Sequence, residues 1–338
     1  MTGQHWSPET IRQAVSLGVE IPSYRRAAER FEALTKVALS KNSLIRLVTA
    51  VGQAVVEAQA VEAEATVKPP APGEAIVFRA MPEPDSAVMA VSFDGVLLNI
   101  RGEGWKEVKI ATFSAVETVE APAPAAAPSQ APEQKVRLTH HSYRAGLWEA
   151  KVFAQQQWAE GLRRGLEKAK TIVSVNDGAA WIWLIIAMCY APCIEIVDWW
   201  HALEKLWAAA NHCFGQGTPQ ARTWLAQLKD HLWAGKLRTL LADIRLVCPR
   251  SQPLAEPVWQ LISYLFHHRR RMAYERFHQA GYPIGSGSVE AAAKVVVQAR
   301  MKQAGMRWTR KGAQAMLALR CLLLSDRWPE VWSGTPPP

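Results

Sequence analysis

The sequence predicts an α/β chain: a mixed sheet flanked by helices, with a helical region before it and a large all-helical insertion within it. Three observations carry this. Short apolar runs rich in β-branched residues fall between residues 87 and 201 and end in Asp or Asp-Gly. Segments with helical spacing precede these runs and alternate with them. From Trp199 to about Gln279 the strand signal stops, and a Trp-rich helical pattern replaces it. At 338 residues the chain is long enough for several structural units and a substantial core.

The elements follow in order. Residues 1–66 form an N-terminal helical region, clearest over Ser23–Leu34 and Ser43–Ala58. Within it, FEALTKVALSKNSLIRLV predicts a helix, a turn near Val37–Lys41 and a second helix capped by Ser40 or Ser43. A helix-turn-helix and two ordinary packed helices both fit that pattern. Ala, Glu and Pro then dominate, and residues 67–86 are expected to be a linker.

The first part of the sheet-bearing core is expected over residues 87–201. AVMAVSFDG predicts a buried strand ending at Asp94–Gly95, joined by a hairpin across residues 95–104 to WKEVKIATFSAVETV. That second run alternates well enough for one strand, or for a second and a third. The Pro/Ala insert 121–132 cannot build a core and is expected to be a mobile surface excursion. Residues 144–170 are expected to be helical. TIVSVNDGA then gives a strand ending at Asp177, Ala180–Tyr190 a helix, and CIEIVD a strand ending at Asp198.

Residues 202–280 form the all-helical insertion, and 281–332 return to the core as C-terminal helices. One helix is expected over Val289–Gln303. Thr309 caps another, whose apolar positions Ala313, Met316, Leu317, Cys321 and Leu324 share a face. The tail SGTPPP is expected to be disordered.

Composition narrows the function classes. The formal charge is +9 and the pI near 9.4, which favours a polyanionic partner, nucleic acid or an anionic membrane surface. Residues 1–20 lack the apolar core of a signal peptide, and the run Ala179–Ala191 is too short to span a bilayer. The five cysteines show no CxxC spacing, so a structural zinc site is not expected and the thiols read as reduced, cytoplasmic core filler.

Three acids stand out. Asp94 and Asp177 end strands, and Glu290 lies in the first turn of a late helix. In open α/β sheets, sites form at strand ends and in the loops beyond them. If the first and fourth strands are neighbours, the three carboxylates converge. Three carboxylates on rigid elements suit two hard divalent cations, which stabilise both attacking and leaving oxygens in phosphodiester cleavage. Each residue also has a structural reading: Asp94–Gly95 as a turn pair, Asp177 as a cap, and Glu290 after Ser288 as a helix-dipole partner.

The segments FDGVLLNIRGEGWKEVKIATF (93–113), DGAAWIW (177–183), IVDWWHALEKLW (196–207) and PIGSGSVEAAAKVVVQARMKQAGMRW (283–308) resemble bacterial insertion-sequence transposases of the ISKra type. These are DDE transposases related to Mutator-type enzymes. The resemblance spans roughly residues 10–332. It implies an RNase H-like core with catalytic, metal-holding Asp94, Asp177 and Glu290, and two Mg²⁺ ions for which Mn²⁺ substitutes. It also implies a D-x-x-H signature, here Asp198 and His201, near the active site; a cap and its helix partner is the structural alternative. The implied activity is metal-dependent cleavage at transposon ends and strand transfer into target DNA. The implied setting is a nucleoid-associated bacterial protein, acting as a homodimer or higher oligomer on double-stranded DNA, with no membrane. An inactive or domesticated DNA-binding remnant and a non-transposing RNase H-like nuclease are the alternatives. The family's N-terminal region with its Cys cluster has no counterpart here, and the Pro/Ala insert departs from its pattern.

Basic residues suggest where DNA would lie. Lys294, Arg300, Lys302, Arg307, Arg310 and Lys311 follow Glu290 with no intervening acid until Asp326. His267, His268, Arg269, Arg270, Arg271 and Arg276 form a second cluster in the insertion. Trp105, Trp181, Trp199, Trp200 and Trp308 are candidates for stacking on flipped bases, with no more than two expected to touch DNA.

Overall fold

The structure, a computed structural model, describes residues 6–67, 82–120, 134–248 and 253–332. The Pro/Ala insert 121–132, most of the linker and the tail after Trp332 lie outside the described residues.

A five-stranded sheet in the order β3-β2-β1-β4-β5 organises the molecule. The strands are β1 (Val88–Ile100), β2 (Gly104–Glu120), β3 (Gln134–Gly146), β4 (Thr171–Asn176) and β5 (Ile194–Val197). β1, β2 and β3 are antiparallel, whereas β4 runs parallel to β1 and β5 parallel to β4. This order and this mixture of directions are those of an RNase H-like core. The first and fourth strands are therefore neighbours.

β1 is longer than its first apolar run. It continues through Asp94 and Gly95 to Ile100, and the reversal occurs at residues 101–103, where Gly102 and the following Gly104 adopt positive φ. Asp94 is thus a mid-strand residue opposite Ile110, not a strand end. The signal was Val96, Leu98 and Ile100, alternating and all buried. β2 is one strand, with an irregularity between Phe113 and Ala115.

β3 carries little apolar signal, and residues 144–146, expected to be helical, belong to it. It is an edge strand in which Arg137 and His140 are exposed and the alternation is polar against half-buried. Cationic edge positions discourage pairing with other chains and also mask a strand in sequence. The helix after it, α4 (Ala150–Arg163), begins only once the strand has ended.

Strand parity assigns the two faces. Met89, Val91 and Phe93 pack with Phe113, Phe153 of α4, and Ile182 and Ile186 of α5 (Ala180–Cys189). Val96, Leu98 and Ile100 point to the other face. There they join the N-terminal helices and the C-terminal helices in one apolar cluster. Asp94 has the parity of this second group, so it faces the layer that contains Glu290.

The N-terminal helices α1 (Pro8–Glu20), α2 (Tyr24–Thr35) and α3 (Lys41–Val67) are part of that layer. Ser7 and Ser23 cap the first two, and Lys36, in the left-handed region, ends α2. α3 packs on α13 (Arg310–Leu324): Gly52 lies so close to Ala315 that an added Cβ would stand 2.6 Å from the Ala315 methyl. α3 is long and apolar enough to cross a bilayer. Its stripe Leu44, Val48, Val51 and Val55 is buried against protein. The turn between α2 and α3 therefore joins two helices of the core, leaving Lys41, Asn42 and Arg46 exposed at the start of α3.

The insertion comprises α6 (Trp199–Phe214), α7 (Pro219–Trp233), α8 (Leu237–Val247), α9 (Glu256–His268) and α10 (Tyr274–Gln279). Its buried residues form one cluster with Val173, Val175, Ile196 and Val197, so it continues the sheet's far edge. Trp199, Trp224, Trp233 and Tyr274 fill it. The chain returns through α11 (Gly287–Ala292), a π-helical stretch (Ala293–Gln298) and α12 (Ala299–Met301). Thr309 caps α13 by accepting from the Gly312 amide.

Candidate active site

Register alone lines up three aspartates. β1 pairs Val91 with Ser174 of β4, so three residues further on along each parallel strand Asp94 comes abreast of Asp177. β4 pairs Asn176 with Val197 of β5, so one residue further on Asp177 comes abreast of Asp198. The row crosses β1, β4 and β5 where the two shorter strands end.

Asn176 holds these strands together below the acids. Its side-chain oxygen accepts the Phe93 amide at 2.6 Å, continuing the ladder past the last β1–β4 pair. Its backbone oxygen accepts the Asp198 amide at 2.7 Å, and its side-chain amide donates to Ser174. Asn176 is fully buried. It fixes the spacing of all three aspartates, and the polar residue closing TIVSVN was the overlooked sequence signal.

Glu290 is delivered from far along the chain: 112 residues separate it from Asp177. Two hydrogen bonds return it. The Ser286 amide donates to Asp198 Oδ2 at 2.5 Å, and the Trp199 amide donates to the Ile284 carbonyl at 3.0 Å. The Tyr274 hydroxyl also ties the end of the insertion to the Val197 carbonyl. α11 starts at Gly287, so Glu290 falls in its first turn beside the row; its cap is Ser286, not Ser288. Ser286 Oγ lies 3.4 Å from Glu290 Oε1.

The tightest cluster among the described residues joins Asp198, His201 and Glu290, whose candidate ligand atoms lie within 4.8 Å of one another. This differs from the expected trio. Asp94 and Asp177 stand slightly apart because each turns one oxygen to its own chain. Asp94 Oδ1 accepts the Gly95 amide at 2.7 Å, and Asp177 Oδ1 accepts the Ala179 amide at 2.8 Å. The local turn role foreseen for Asp177 coexists with its place in the row.

Electrostatics couple the five groups. Burial pushes the Asp94 carboxyl up to about 6; the Gly95 amide opposes this, while the negative charges of Asp177 and Glu290 add to it. A carboxyl raised in this way by like charges is relieved by a cation. Burial would also raise Asp198, yet hydrogen bonds from His201 and Ser286 hold it below the usual carboxylate range. Its Oδ1 accepts both the His201 amide at 2.7 Å and the ring Nδ1 at 3.1 Å. The bond to Asp198 raises His201 to about 9, so the ring is an imidazolium at neutral pH. As a cation it cannot itself ligate a metal, but it can offer a proton to an anionic oxygen.

The donor set is carboxylate oxygens from rigid elements, the chemistry of a Mg²⁺ or Mn²⁺ site. Asp94, Asp177 and Glu290 would hold such ions, with Asp198 close enough to join.

The basic residues separate into surface and core. Lys294, Lys302, Arg307 and Lys311 are exposed on the C-terminal helices and their connecting loop. Lys302 lies over the exposed Trp105 ring at 5.7 Å. Arg310 is exposed but forms an ion pair with Glu103. Arg300 and Trp308, expected to contact DNA, are instead buried. Arg300 donates to the Gly18 and Pro22 carbonyls, with its guanidinium against Tyr24, and the Trp308 indole donates to the Met301 carbonyl. A buried guanidinium satisfied by carbonyls at a helix-layer junction is structural. Arg300→Ala should cost about 3 kcal/mol of stability in urea denaturation and leave the salt dependence of DNA binding unchanged.

In the insertion, Arg269 and Arg270 are exposed, whereas Arg271 is ion-paired with Glu195 and stacks on Trp183 at 4.1 Å. His268 is buried and pushed down to about 4 by burial and by Arg271, so it adds no positive charge. Trp199 is core, Trp181 is half-buried against Phe153, and Trp200 is exposed beside Gly285. No protein-family profile matches this chain, and no curated protein matches it in sequence.

Proposed function

We propose that this protein is a metal-dependent DNA-cleaving enzyme and, on the resemblance of its sequence blocks, a DDE transposase that cuts element ends and transfers the freed strand to target DNA. The observation that carries the reading is the convergence of Asp94, Asp177 and Glu290 at one end of an RNase H-like sheet, with Asp198 and His201 closing the cluster.

Bound divalent ions would supply charge stabilisation to the attacking and leaving oxygens of a phosphodiester. Asp94, Asp177 and Glu290 would fix their positions from two strands and a helix, which restricts their spacing more than loops would. Asp198 positions: it fixes His201 and anchors the segment that bears Glu290. His201, an imidazolium more than one-third exposed, is placed to bond a phosphate oxygen. Exposed Lys294, Lys302, Arg307 and Lys311 would track the DNA backbone and make binding strongly salt-dependent. Duplex DNA is the proposed partner, held by a homodimer or higher oligomer so that two ends meet.

Nicking of supercoiled plasmid tests the reading. Wild type should nick in Mg²⁺ and in Mn²⁺, and Glu290→Ala should lose activity in both while retaining salt-sensitive binding. Binding without nicking by wild type in either metal would favour a DNA-binding remnant.

A further inference from the structure

Behind Asp177 the sheet end opens into a cavity of about 770 Å³ between α5, α6 and α9. Its size falls in the range of ligand sites. Two features tie it to the carboxylates. The Trp183 indole, on one wall, donates to the Asp177 carbonyl at 3.0 Å. The Tyr264 ring, on another, packs so closely on Gly178 that an added Cβ would stand 2.6 Å from it. Tyr264 also interacts electrostatically with Asp198 and Asp177, which puts it between the cavity and the acids. Its hydroxyl is buried without a hydrogen-bond partner.

The remaining lining is flat and cationic. Trp259 lines the cavity with 54 % of its surface exposed, and His267 stands one turn beyond Tyr264 on the same helix. Lys205 and Arg271 line the same space, and exposed Arg269 and Arg270 adjoin it in sequence. Aromatic rings with cations around them fit a planar, uncharged ring attached to a phosphate chain. An apolar peptide would have to bury Lys205 and Arg271 without supplying counter-charge.

We propose that this cavity binds one unpaired nucleobase of the nucleic-acid substrate, stacked on Trp259, while the neighbouring phosphate lies at the carboxylate row. The proposal rests on the nucleic-acid reading above and adds the unpaired base as a substrate feature that the site selects. Lys205, Arg269 and Arg270 would meet the backbone on either side of that base. An enzyme with such a site prefers DNA that is frayed, nicked or distorted at the cleavage position.

The test uses the full chain and two oligonucleotides, a perfect duplex and one with a single unpaired fluorescent purine analogue. Binding is read by anisotropy of a distant dye, and stacking by quenching of the analogue. Wild type should bind the second DNA more tightly and quench it. Trp259→Ala should abolish quenching and weaken that DNA by roughly 5- to 100-fold, the range for loss of one base–aromatic stack, with the perfect duplex unchanged. Trp259→Phe should restore most of the quenching. Equal affinity of wild type for both DNAs, or equal loss on both in Trp259→Ala, would overturn the proposal. Altered self-association in Trp259→Ala with no change on either DNA would overturn it in favour of a second copy of the chain. Nicking is scored separately with Glu290→Ala. Quenching without nicking would sink the catalytic reading and leave the base site standing, and nicking without base preference would do the reverse.

Discussion

Asp94→Asn should reduce metal-dependent plasmid nicking by roughly 10³-fold or more, while DNA affinity at fixed salt stays within about twofold of wild type. The neutral amide keeps the shape of the carboxyl and its bond to the Gly95 amide, but it removes the charge that faces Asp177 and Glu290. A stability signature accompanies the loss. The folded-state carboxyl is raised to about 6 from an ordinary 3.8, so the folded chain holds this proton more tightly than the unfolded chain does. Its stability therefore falls as pH rises from about 4 to about 6, and above that the penalty is fully present. Asparagine removes the penalty. At pH 8 without metal, Asp94→Asn should be more stable than wild type by on the order of 1 kcal/mol, a figure kept small because the site is partly solvated. Adding Mg²⁺ should raise the melting temperature of wild type more than that of the variant. If the variant nicks normally, the carboxylate reading is wrong. If wild type shows no Mg²⁺ response above pH 6, the carboxylates are not a cation site.

Asp198→Ala should cost about 3 kcal/mol of folding stability and also lower activity, because this one side chain performs two tasks. It is wholly buried and accepts from the Ser286 amide, the His201 amide and the His201 ring. Without it, two amides lose their acceptor, and the segment that positions Glu290 loses its tie to the sheet. The pair also sets a pH window. The carboxyl is held below its ordinary 3.8, so its stabilisation is present above that pH and is lost as pH falls through the acid range. His201 is raised to about 9 from 6.5; its stabilisation is full below 6.5 and is lost as pH rises through about 9. Wild type should therefore hold its plateau between about pH 4 and pH 9 as far as this pair is concerned. Asp198→Asn separates charge from packing. It should unfold less readily than the alanine variant, yet let the His201 ring proton titrate near 6.5, as read by NMR. A His201 still titrating near 9 in that variant would show that Asp198 is not what charges it.

Much of the core was legible as sequence. TIVSVND and CIEIVD are short, apolar and β-branched, and each stops at an acid; the structure places β4 and β5 there. Thr309 before an apolar stripe specified the cap of α13, and the Trp-rich stretch after Trp199 specified a helical insertion. These are local signals, in which period, cap and breaker act within a few residues. The boundaries of β1 and the existence of β3 were not legible in the same way. An Asp-Gly pair carries turn propensity, and only pairing with β2 on one side and burial of Val96, Leu98 and Ile100 below overrides it. β3 is a polar edge strand, held by its partner rather than by its own composition.

The site divides along the same line. Asp94, Asp177, Glu290, Asp198 and His201 could be nominated from residue type and position, but their distances belong to the tertiary structure. Parallel register sets three aspartates abreast, Asn176 locks the strands beneath them, and the Ser286–Asp198 bond brings in Glu290. The basic residues show the limit of local reading most clearly. Arg300 and Lys302 lie two positions apart on one helix and are alike in charge, yet one is buried under Tyr24 and the other stands in solvent. Sequence by itself determined which groups the chain carries and which segments hold them. Which of those groups face one another, and which face water, was decided only when the sheet and its helical layers packed, because that choice rests on contacts between residues hundreds of positions apart.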